Sequence, residues 1–384
     1  MVCDVPADPD QPATLTVDAL RTLARDRLVP LVEDGRPGRV NRALVTALAD
    51  LGLSQRLFPT ELGGSADEQV LASQLCLIRE ALAAESPTAE TTFAVQGLGS
   101  YPLLLAASDA VRKQWIPKVA AGQAVCGFAL TEAGAGSDAG AITTSATHTA
   151  DGWVLEGAKT WISHAPDADV YTVFARTTPD AGSRGVSAFC LPADLPGVGG
   201  KPLEMVAPHA LGTLTLDQVV LPEDHLLGEA DAGFAVAMLT LDRFRPSVGS
   251  AAVGMAQSAF EMAVTHAGDR KAFGQSLRDF QAVSHRLADM ATQIQAARLL
   301  VADAADAHDI GQRRTTKPAA MAKLFATEMA QQVIDGAIQI HGAAGLQVGH
   351  RLEELYREVR ALRIYEGASE IQRTIIAREL YRDA

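Results

Sequence analysis

Apolar positions recur at helical spacing at both ends of the chain and at strand spacing only in its middle. Near the start, Val17, Leu20, Leu23, Ala24, Leu28 and Leu31 fall mostly three or four apart, and Val70, Leu71, Leu75, Ile78 and Leu82 repeat the pattern. Side chains at that spacing share one face of a helix, so each series predicts an amphipathic helix. Gly35-Arg36-Pro37-Gly38 and Leu62-Gly63-Gly64 punctuate them, and the stretch from Thr14 to Ala121 reads as helical. From about Val125 to Leu221 short β-branched and aromatic runs take over. Thr143 to Thr149, the pair Asp151-Gly152, then Trp153-Val154-Leu155-Glu156 predict a hairpin on a two-residue turn. Val170 to Phe174, Val186 to Cys190 and Leu214 to Val220 read as further strands. Beyond Gly228, long alanine-rich amphipathic stretches return at roughly 232–268, 278–309, 315–342 and 349–382, the signature of an antiparallel four-helix bundle. Pro246 lies inside the first of these, where its missing N–H predicts a kink or a restart. The expected fold is mainly α with a central β domain: a helical domain at 1–122, a barrel-like β domain at 123–228 and the bundle at 229–384.

With 384 residues the chain exceeds a single hydrophobic core, which agrees with several domains. Hydrophobic residues make up 48% and charged ones 21%, close to ordinary globular usage, so neither a disordered nor a fibrous chain is indicated. The longest apolar runs, such as Tyr101 to Ala107, fall far short of the ~20 residues of a bilayer span. Met1 to Asp8 has no basic or apolar region, so no signal peptide is expected. A net charge of -13 argues against a nucleic-acid partner. The arginines of Arg351 to Arg363 alternate with Glu353, Glu354 and Glu358, which reads as a solvated helix face. Cys3, Cys76, Cys126 and Cys190 have no metal-ligand spacing and read as reduced thiols of a cytoplasmic protein.

Candidate chemistry centres on Glu366. It stands between Ile364-Tyr365 and Gly367, in a short connection before Ser369 and Gln372, which together spell a helix-capping box. Apolar flanks strip hydration from a carboxylate and raise its proton affinity towards that of a base able to act on carbon. Gly134-Ala135-Gly136-Ser137-Asp138-Ala139 fits the dinucleotide fingerprint formally, but it leads into strands and opens no helix, so a Rossmann reading fails. The run reads as a loop whose backbone N–H groups, with the Thr131 and Ser137 hydroxyls, can meet carbonyl or phosphate oxygens. Trp161-Ile162-Ser163 ends a strand with an aromatic plane and a hydroxyl. His341 has no second ligand at a suitable spacing and reads as neither metal nor proton chemistry.

Four segments, Phe128-Ala129-Leu130-Thr131-Glu132-Ala133-Gly134-Ala135-Gly136-Ser137-Asp138, Lys159-Thr160-Trp161-Ile162-Ser163, Gln339-Ile340-His341-Gly342-Ala343-Ala344-Gly345 and the run around Glu366, together resemble the acyl-CoA dehydrogenase family, flavoenzymes that oxidise acyl thioesters. The resemblance covers nearly the whole chain and keeps the order of helices, strands and helices. It implies FAD lying between the β domain and the bundle, with Phe128, Leu130, Thr131, Gly136 and Ser137 lining the flavin and the thioester and Trp161, Ile162 and Ser163 at the ring. Arg270, Phe273, Phe280 and Gln281 resemble elements that clasp the pyrophosphate of FAD on an adjacent subunit, and Gln339, Gly342 and Ala343 resemble a segment that approaches the same neighbour's cofactor. Glu370 joins this set, as does Ala368, which stands where relatives place a threonine. Loss of that hydroxyl removes one hydrogen bond of about 0.5–1.5 kcal/mol.

The resemblance further implies that Glu366 removes the pro-R α-proton of the substrate while a hydride leaves the β-carbon for flavin N5. The Glu366 backbone N–H and a ribityl hydroxyl would hold the thioester oxygen. Relatives that carry the base on the first bundle helix have it where this chain has Phe244. Asp242 and Arg245 match residues along the pantetheine arm, and Ser137 and Gly367 join the substrate set. Phe93, Ala94, Leu98, Phe244 and Tyr365 suggest a small or medium acyl group. The loop Glu204 to Thr213 departs from the family's basic and polar pattern, which leaves CoA and acyl-carrier protein both open as the carrier. Expected partners are the acyl thioester, an acceptor such as an electron-transfer flavoprotein, and copies of the chain in a homotetramer. An acyl-CoA oxidase or flavin monooxygenase on the same fold is the alternative activity, and a non-catalytic helical binding protein the remote one.

Overall fold

A computed structural model describes residues 15–66, 70–312 and 314–382. The amino-terminal segment read for targeting, together with Cys3, lies outside them. The chain divides into two compact units, one of Pro30–Val70 and Thr91–Leu241, the other of Met1–Val29, Leu71–Glu90 and Asp242–Ala384.

The helices before the sheet are α1 (Val17–Leu23), α2 (Val29–Glu33), α3 (Arg42–Asp50), α4 (Ala72–Glu85), α5 (Pro87–Ala106) and α6 (Asp109–Ala120), with a π turn at Ala24–Leu28 joining the first two. Their starts are set by side chains that accept from otherwise orphaned N–H groups. Thr16 caps α1, Asn41 caps α3 and Ser108 caps α6. The α4 start has no local cap. The distant Asp309 carboxylate supplies one, accepting from Ala72 N at 2.7 Å and Ser73 N at 3.0 Å.

In the unit containing the sheet, strands β1 (Cys126–Ala129), β2 (Ser145–Thr149), β3 (Gly152–Ser163), β4 (Val170–Arg176), β5 (Val186–Pro192), β6 (Val198–Gly199), β7 (Leu211–Leu221) and β8 (Leu226–Leu227) form one sheet. They run in the order β6-β7-β3-β2-β4-β5-β8, with β1 pairing β4 in parallel. Every residue of β5 is buried, and so is β4 up to its final arginine, so both read as continuous apolar runs. The buried Gln96 of α5 clamps the sheet edge: its amide donates to Ala124 O at 2.9 Å and its oxygen accepts from Cys126 N at 2.8 Å. The hairpin differs from the expected one by a residue. Thr149 pairs with Gly152, so the turn is Ala150-Asp151, and Gly152 is already in the strand at φ 113°. A Cβ at Gly152 would lie 2.2 Å from the Leu221 carbonyl oxygen, so it is the close approach of β7 that requires glycine there.

The other unit holds α7 (Gly233–Asp269) from Asp242 onward, a small hairpin of β9 (Lys271–Ala272) and β10 (Gln275–Ser276), α8 (Gln281–Asp309), α9 (Thr316–His341), α10 (Arg351–Leu362) and α11 (Ser369–Arg382). Alanines dominate its core, among them Ala251, Ala252, Ala256, Ala326 and Ala330, all fully buried. Small side chains let helices approach closely. A Cβ on Gly254 of α7 would come within 2.1 Å of the Glu80 carbonyl oxygen on α4.

Three expectations are corrected in this unit. The helix through Pro246 does not restart, because α7 is continuous across it. The Asp242 carbonyl that Pro246 cannot serve is instead next to His308, which hydrogen-bonds the Asp242 backbone. The stretch 349–382 is two helices, α10 and α11, parted by the connection that carries Glu366. Ser369 is no capping-box residue either: its hydroxyl donates to Glu328 Oε1 at 2.6 Å, and the Gln372 amide turns back to the carbonyls of Glu366 and Gly367. Among the described residues no helix is long and apolar enough to cross a membrane.

Candidate active site

The expected base sits on a turn that an L-residue enters at some cost. Glu366 has φ 51° and Gly367 has φ 91°, both left-handed. For a non-glycine residue that conformation costs on the order of 1 kcal/mol and persists only where its surroundings impose it. Here they do. The Gly367 carbonyl accepts from Lys323 Nζ at 2.8 Å and from Gln372 Nε2 at 2.9 Å, while Arg363 pairs with Glu328 at 2.8 Å beside the Ser369 contact. A Cβ at Gly367 would fall 2.5 Å from Gln372 Nε2, so this position requires glycine both for φ and for space.

Glu366 as a residue is half-buried, but its Oε2 is sealed from solvent and has no hydrogen-bond partner. Burial pushes its proton affinity above the usual carboxylate range, against the pull of Arg79, Lys323 and Arg245 and with a small push from Glu90. Arg79 is fully buried, donating from Nε to Glu90 Oε1 and from Nη1 to Ser247 Oγ at 2.7 Å. Burial also draws the Lys323 ammonium down to about 8. An orphaned, desolvated carboxylate ringed by cations is suited to take a proton from carbon and to hold it.

Among the predicted substrate residues, Tyr365 adjoins Glu366 in the chain and Arg245 is one of the cations acting on its carboxylate. Tyr365 packs on the alanine core, and Phe244 is 1% exposed on α7. Arg245 pairs with Asp242, whose second oxygen accepts from Thr316 Oγ1 at 2.9 Å. Ala368 is half-buried and accepts from the Gln372 N–H, whereas Glu370 is exposed. The other predicted pocket residues belong to the sheet-containing unit, where Phe93 and Ala94 are buried on α5 and Leu98 is half-buried.

The expected flavin-facing residues lie in the sheet-containing unit, and the structure brings them together. Thr160 N donates to Thr131 O at 3.0 Å, joining the loop after β1 to β3. The β3–β7 register slips between Lys159 and Ile162, and Trp161 sits in that irregularity at φ 54°, 50% exposed. A bulge that turns a large aromatic plane outward is the geometry of a stacking platform. Ser163 is half-buried, whereas the Ile162 side chain is 1% exposed and belongs to the core, leaving only its backbone for a cofactor. Phe128 packs on Phe174 at 4.9 Å between ring centroids, and Leu130 is buried. Nothing lies within 4 Å of where a Cβ on Gly134 or Gly136 would be, and Gly136 and Ser137 are exposed, so the loop offers open backbone for a ligand. A planar aromatic cofactor fits this platform.

Sequence reasoning quoted Glu132 and Lys159 within motifs and gave them no role, yet they hold the loop. The Glu132 carboxylate accepts from Thr143 N at 2.7 Å, Thr143 Oγ1 at 2.8 Å, Thr144 N at 2.9 Å and Lys159 Nζ at 2.8 Å. Against burial, these partners, Lys159 foremost, hold Glu132 down at about 2. Because its folded value lies below the unfolded 4.5, the stability it contributes is complete above about pH 4.5 and is lost as pH falls towards 2. In urea unfolding from about pH 7 to pH 3, the stability gap between wild type and Glu132→Gln should therefore narrow at the acid end. A constant gap would contradict this account. Arg79 and Lys323 were also passed over. The signal was available, since Lys323 interrupts the apolar stripe Ala319, Ala322, Ala326 and Ala330 of α9, and all five are fully buried.

A third group lies at one end of the helical unit. The β9–β10 hairpin turns on Phe273 and Gly274, with φ 51° and 83°, and displays Phe273 at 96% exposure. Phe273 meets Phe280 edge-on at 6.2 Å. Arg270, Gln281, Gln339, Gly342 and Ala343 are exposed as well, with Leu346 at 67% and Val348 at 87%. His341 is stacked on His266 at 4.2 Å and meets His350 at 5.5 Å. Among the described residues no group of three His, Cys, Asp or Glu side chains is placed to hold a metal.

Models of the acyl-CoA dehydrogenase N-terminal, middle and C-terminal domains match residues 12–123, 127–219 and 231–381. A cyclohexane-1-carbonyl-CoA dehydrogenase of Geobacter metallireducens is 36% identical over 96% of this chain and 97% of its own length. The chain belongs to the acyl-CoA dehydrogenase family. Butyryl-CoA dehydrogenase from Megasphaera elsdenii superposes with a TM-score of 0.89 at 31% identity, covering 99% of this chain and 100% of that one. A chain from a structure described as the electron transferring flavoprotein of Acidaminococcus fermentans superposes at 0.91 with 32% identity and the same coverage. As a member of the acyl-CoA dehydrogenase family the chain is an FAD-dependent oxidoreductase of acyl-CoA substrates.

Proposed function

We propose that this protein oxidises an acyl-CoA to the enoyl-CoA, with Glu366 as the base that removes the α-proton. The observation that carries this reading is the sealed, unpartnered Oε2 of Glu366 on a left-handed turn, with Phe244 at the alternative position. Proton removal leaves enolate-like charge on the thioester oxygen, and the Glu366 backbone N–H is the donor proposed to hold it. The chemistry FAD supplies when bound is acceptance of the hydride from the β-carbon. Trp161 and Ser163 would stack on and hydrogen-bond the ring, while Thr131, Gly136 and Ser137 offer donors at its edge. Asp242 and Arg245 would line the pantetheine arm. An electron-transfer flavoprotein is the proposed acceptor. The described cysteines are free and buried, which suits a cytoplasmic protein.

The test is anaerobic bleaching of the flavin by a panel of acyl-CoAs, from butyryl-CoA to cyclohexane-1-carbonyl-CoA. Rapid bleaching with formation of the enoyl product is expected for at least one, and flavin left oxidised by all of them would overturn the reading. Repeated in air, stoichiometric peroxide at each turnover would show an oxidase instead. For the best acyl group, kcat/KM should be at least tenfold higher on CoA than on acyl-carrier protein, since an overall charge of -13 opposes an acidic carrier.

We further propose a homotetramer in which the end bearing Arg270, Phe273, Gln339 and Gly342 covers a neighbour's cofactor. A phenylalanine 96% exposed on a hairpin, with Leu346 at 67% and Val348 at 87%, is poorly suited to water and well suited to an interface. Cofactor retention and assembly should then fall together, by mass action. In sedimentation read at the flavin absorbance, Phe273→Asp should shift the protein to smaller species that shed FAD. A monomer with full flavin occupancy would refute the arrangement.

A further inference from the structure

We infer that Lys323 is a positioning residue for the reaction: its ammonium fixes the Gly367 carbonyl and so holds the Glu366 turn in the geometry from which the carboxylate reaches the α-carbon. The inference rests on Glu366 being the base. Lys323 stands in the alanine stripe of α9 with no exposed surface. Burying a charge is costly unless it is well compensated, and this ammonium donates at 2.8 Å to a main-chain carbonyl, not to a carboxylate. An apolar side chain of similar volume would fill the same space without that cost, so packing alone does not account for the lysine.

Its partner does. The connection between α10 and α11 is hung from α9 at both ends and in the middle. One oxygen of Glu328 pairs with Arg363 Nη2 at 2.8 Å, before the turn, and the other accepts from Ser369 Oγ at 2.6 Å, after it. Those contacts tether the ends, and Lys323 reaches the middle. The carbonyl it holds also accepts from Gln372 Nε2 at 2.9 Å, and the same amide donates to the Glu366 carbonyl at 3.3 Å. Two donors on one carbonyl fix the orientation of the turn peptide. A glutamate kept left-handed relaxes to an extended or right-handed backbone when its constraint is removed. Such a change swings the side chain by more than the roughly 0.5 Å within which a catalytic group must be held.

Lys323 has a second effect on the same carboxylate, and its sign differs. A nearby cation favours the ionised form, so losing it makes Glu366 more basic. Once the carboxylate is ionised, a more basic group takes a proton from carbon faster. A role through charge alone therefore predicts a faster reaction when the ammonium is removed. A role through position predicts a slower one.

The test is stopped-flow reduction of the FAD-loaded protein by its best acyl-CoA, at saturating substrate and on the high-pH plateau where Glu366 is ionised. In Lys323→Met the limiting rate should fall about ten- to a hundredfold, the usual consequence of displacing a reacting group by about 1 Å. The half-saturating concentration should move by less than about twofold, because the lost contact serves the chemical step and not binding. Deuterium at the α-carbon should slow the variant at least as much as it slows wild type, since proton removal is the step impaired. A limiting rate at or above wild type, a loss carried by half-saturation, or a smaller α-deuterium effect would overturn the inference. Should Lys323→Met fail to fold, Lys323→Gln, which keeps a donor on a shorter stem, is read by the same three quantities with the same signs. Glu366→Gln separates the two readings. If that variant reduces flavin normally, the base assignment fails and the positioning role falls with it; if it is inactive while Lys323→Met keeps the wild-type rate, the positioning role alone fails.

Discussion

Glu366→Gln should fold, bind FAD and lose about 10²–10⁴ in the rate of flavin reduction by acyl-CoA, the usual contribution of a positioned acid–base group. The amide keeps the shape of the side chain, and the turn is held by backbone contacts from Lys323 and Gln372, so the loss should appear in chemistry and not in stability. Stopped-flow absorbance of the flavin gives the rate, and the urea midpoint gives the control. Near-normal reduction by the variant would remove Glu366 from the mechanism, since Phe244 at the alternative position has no proton-accepting group.

The largest effect on stability is expected at Lys159. Its ammonium is wholly buried and donates to Glu132 at 2.8 Å and to the Leu130 carbonyl at 3.2 Å. Lys159→Met leaves a buried carboxylate without its cation, which typically costs about 3–5 kcal/mol. Because both partners anchor the loop between Leu130 and Ser137, FAD should also bind more weakly. The double variant Lys159→Met/Glu132→Gln removes the stranded charge and should recover part of the loss. Urea unfolding and flavin occupancy measured side by side check both effects, and a Lys159→Met protein as stable as wild type would refute the anchoring role.

The order of helices, strands and helices was legible because periodicity of 3.6 or 2 reports which face of an element is buried. The burial of the Glu366 carboxylate was legible because Ile364, Tyr365 and Gly367 flank it. What periodicity misses is set by partners distant in sequence. Ser369 and Gln372 spell a capping box locally, but Glu328, some forty residues away, takes the hydroxyl. Asp151-Gly152 spells a turn locally, but the glycine answers to Leu221 on β7. Pro246 spells a break locally, yet α7 runs through it, with His308 beside the Asp242 backbone that the proline cannot serve. Arg79 and Lys323 were visible only as charges in apolar stripes, which name a burial and not a partner.

The helical unit is assembled from three separated segments, whereas most of the other unit lies in one run from Thr91 to Leu241. On the ribosome this imposes an order. Helices α1 and α4 emerge early and can join each other through Arg21 and Glu85, but the rest of their core, from Val248 to Leu362, does not exist until the sheet has been translated. At about 5–20 residues per second the wait is on the order of ten seconds. Arg79 and Glu90 can meet in that interval, while Ser247, Lys323 and Glu366 follow the sheet. The proposed site is thus completed only at the end of synthesis, and a nascent chain stalled after the sheet carries the platform proposed for the cofactor without the carboxylate proposed as the base.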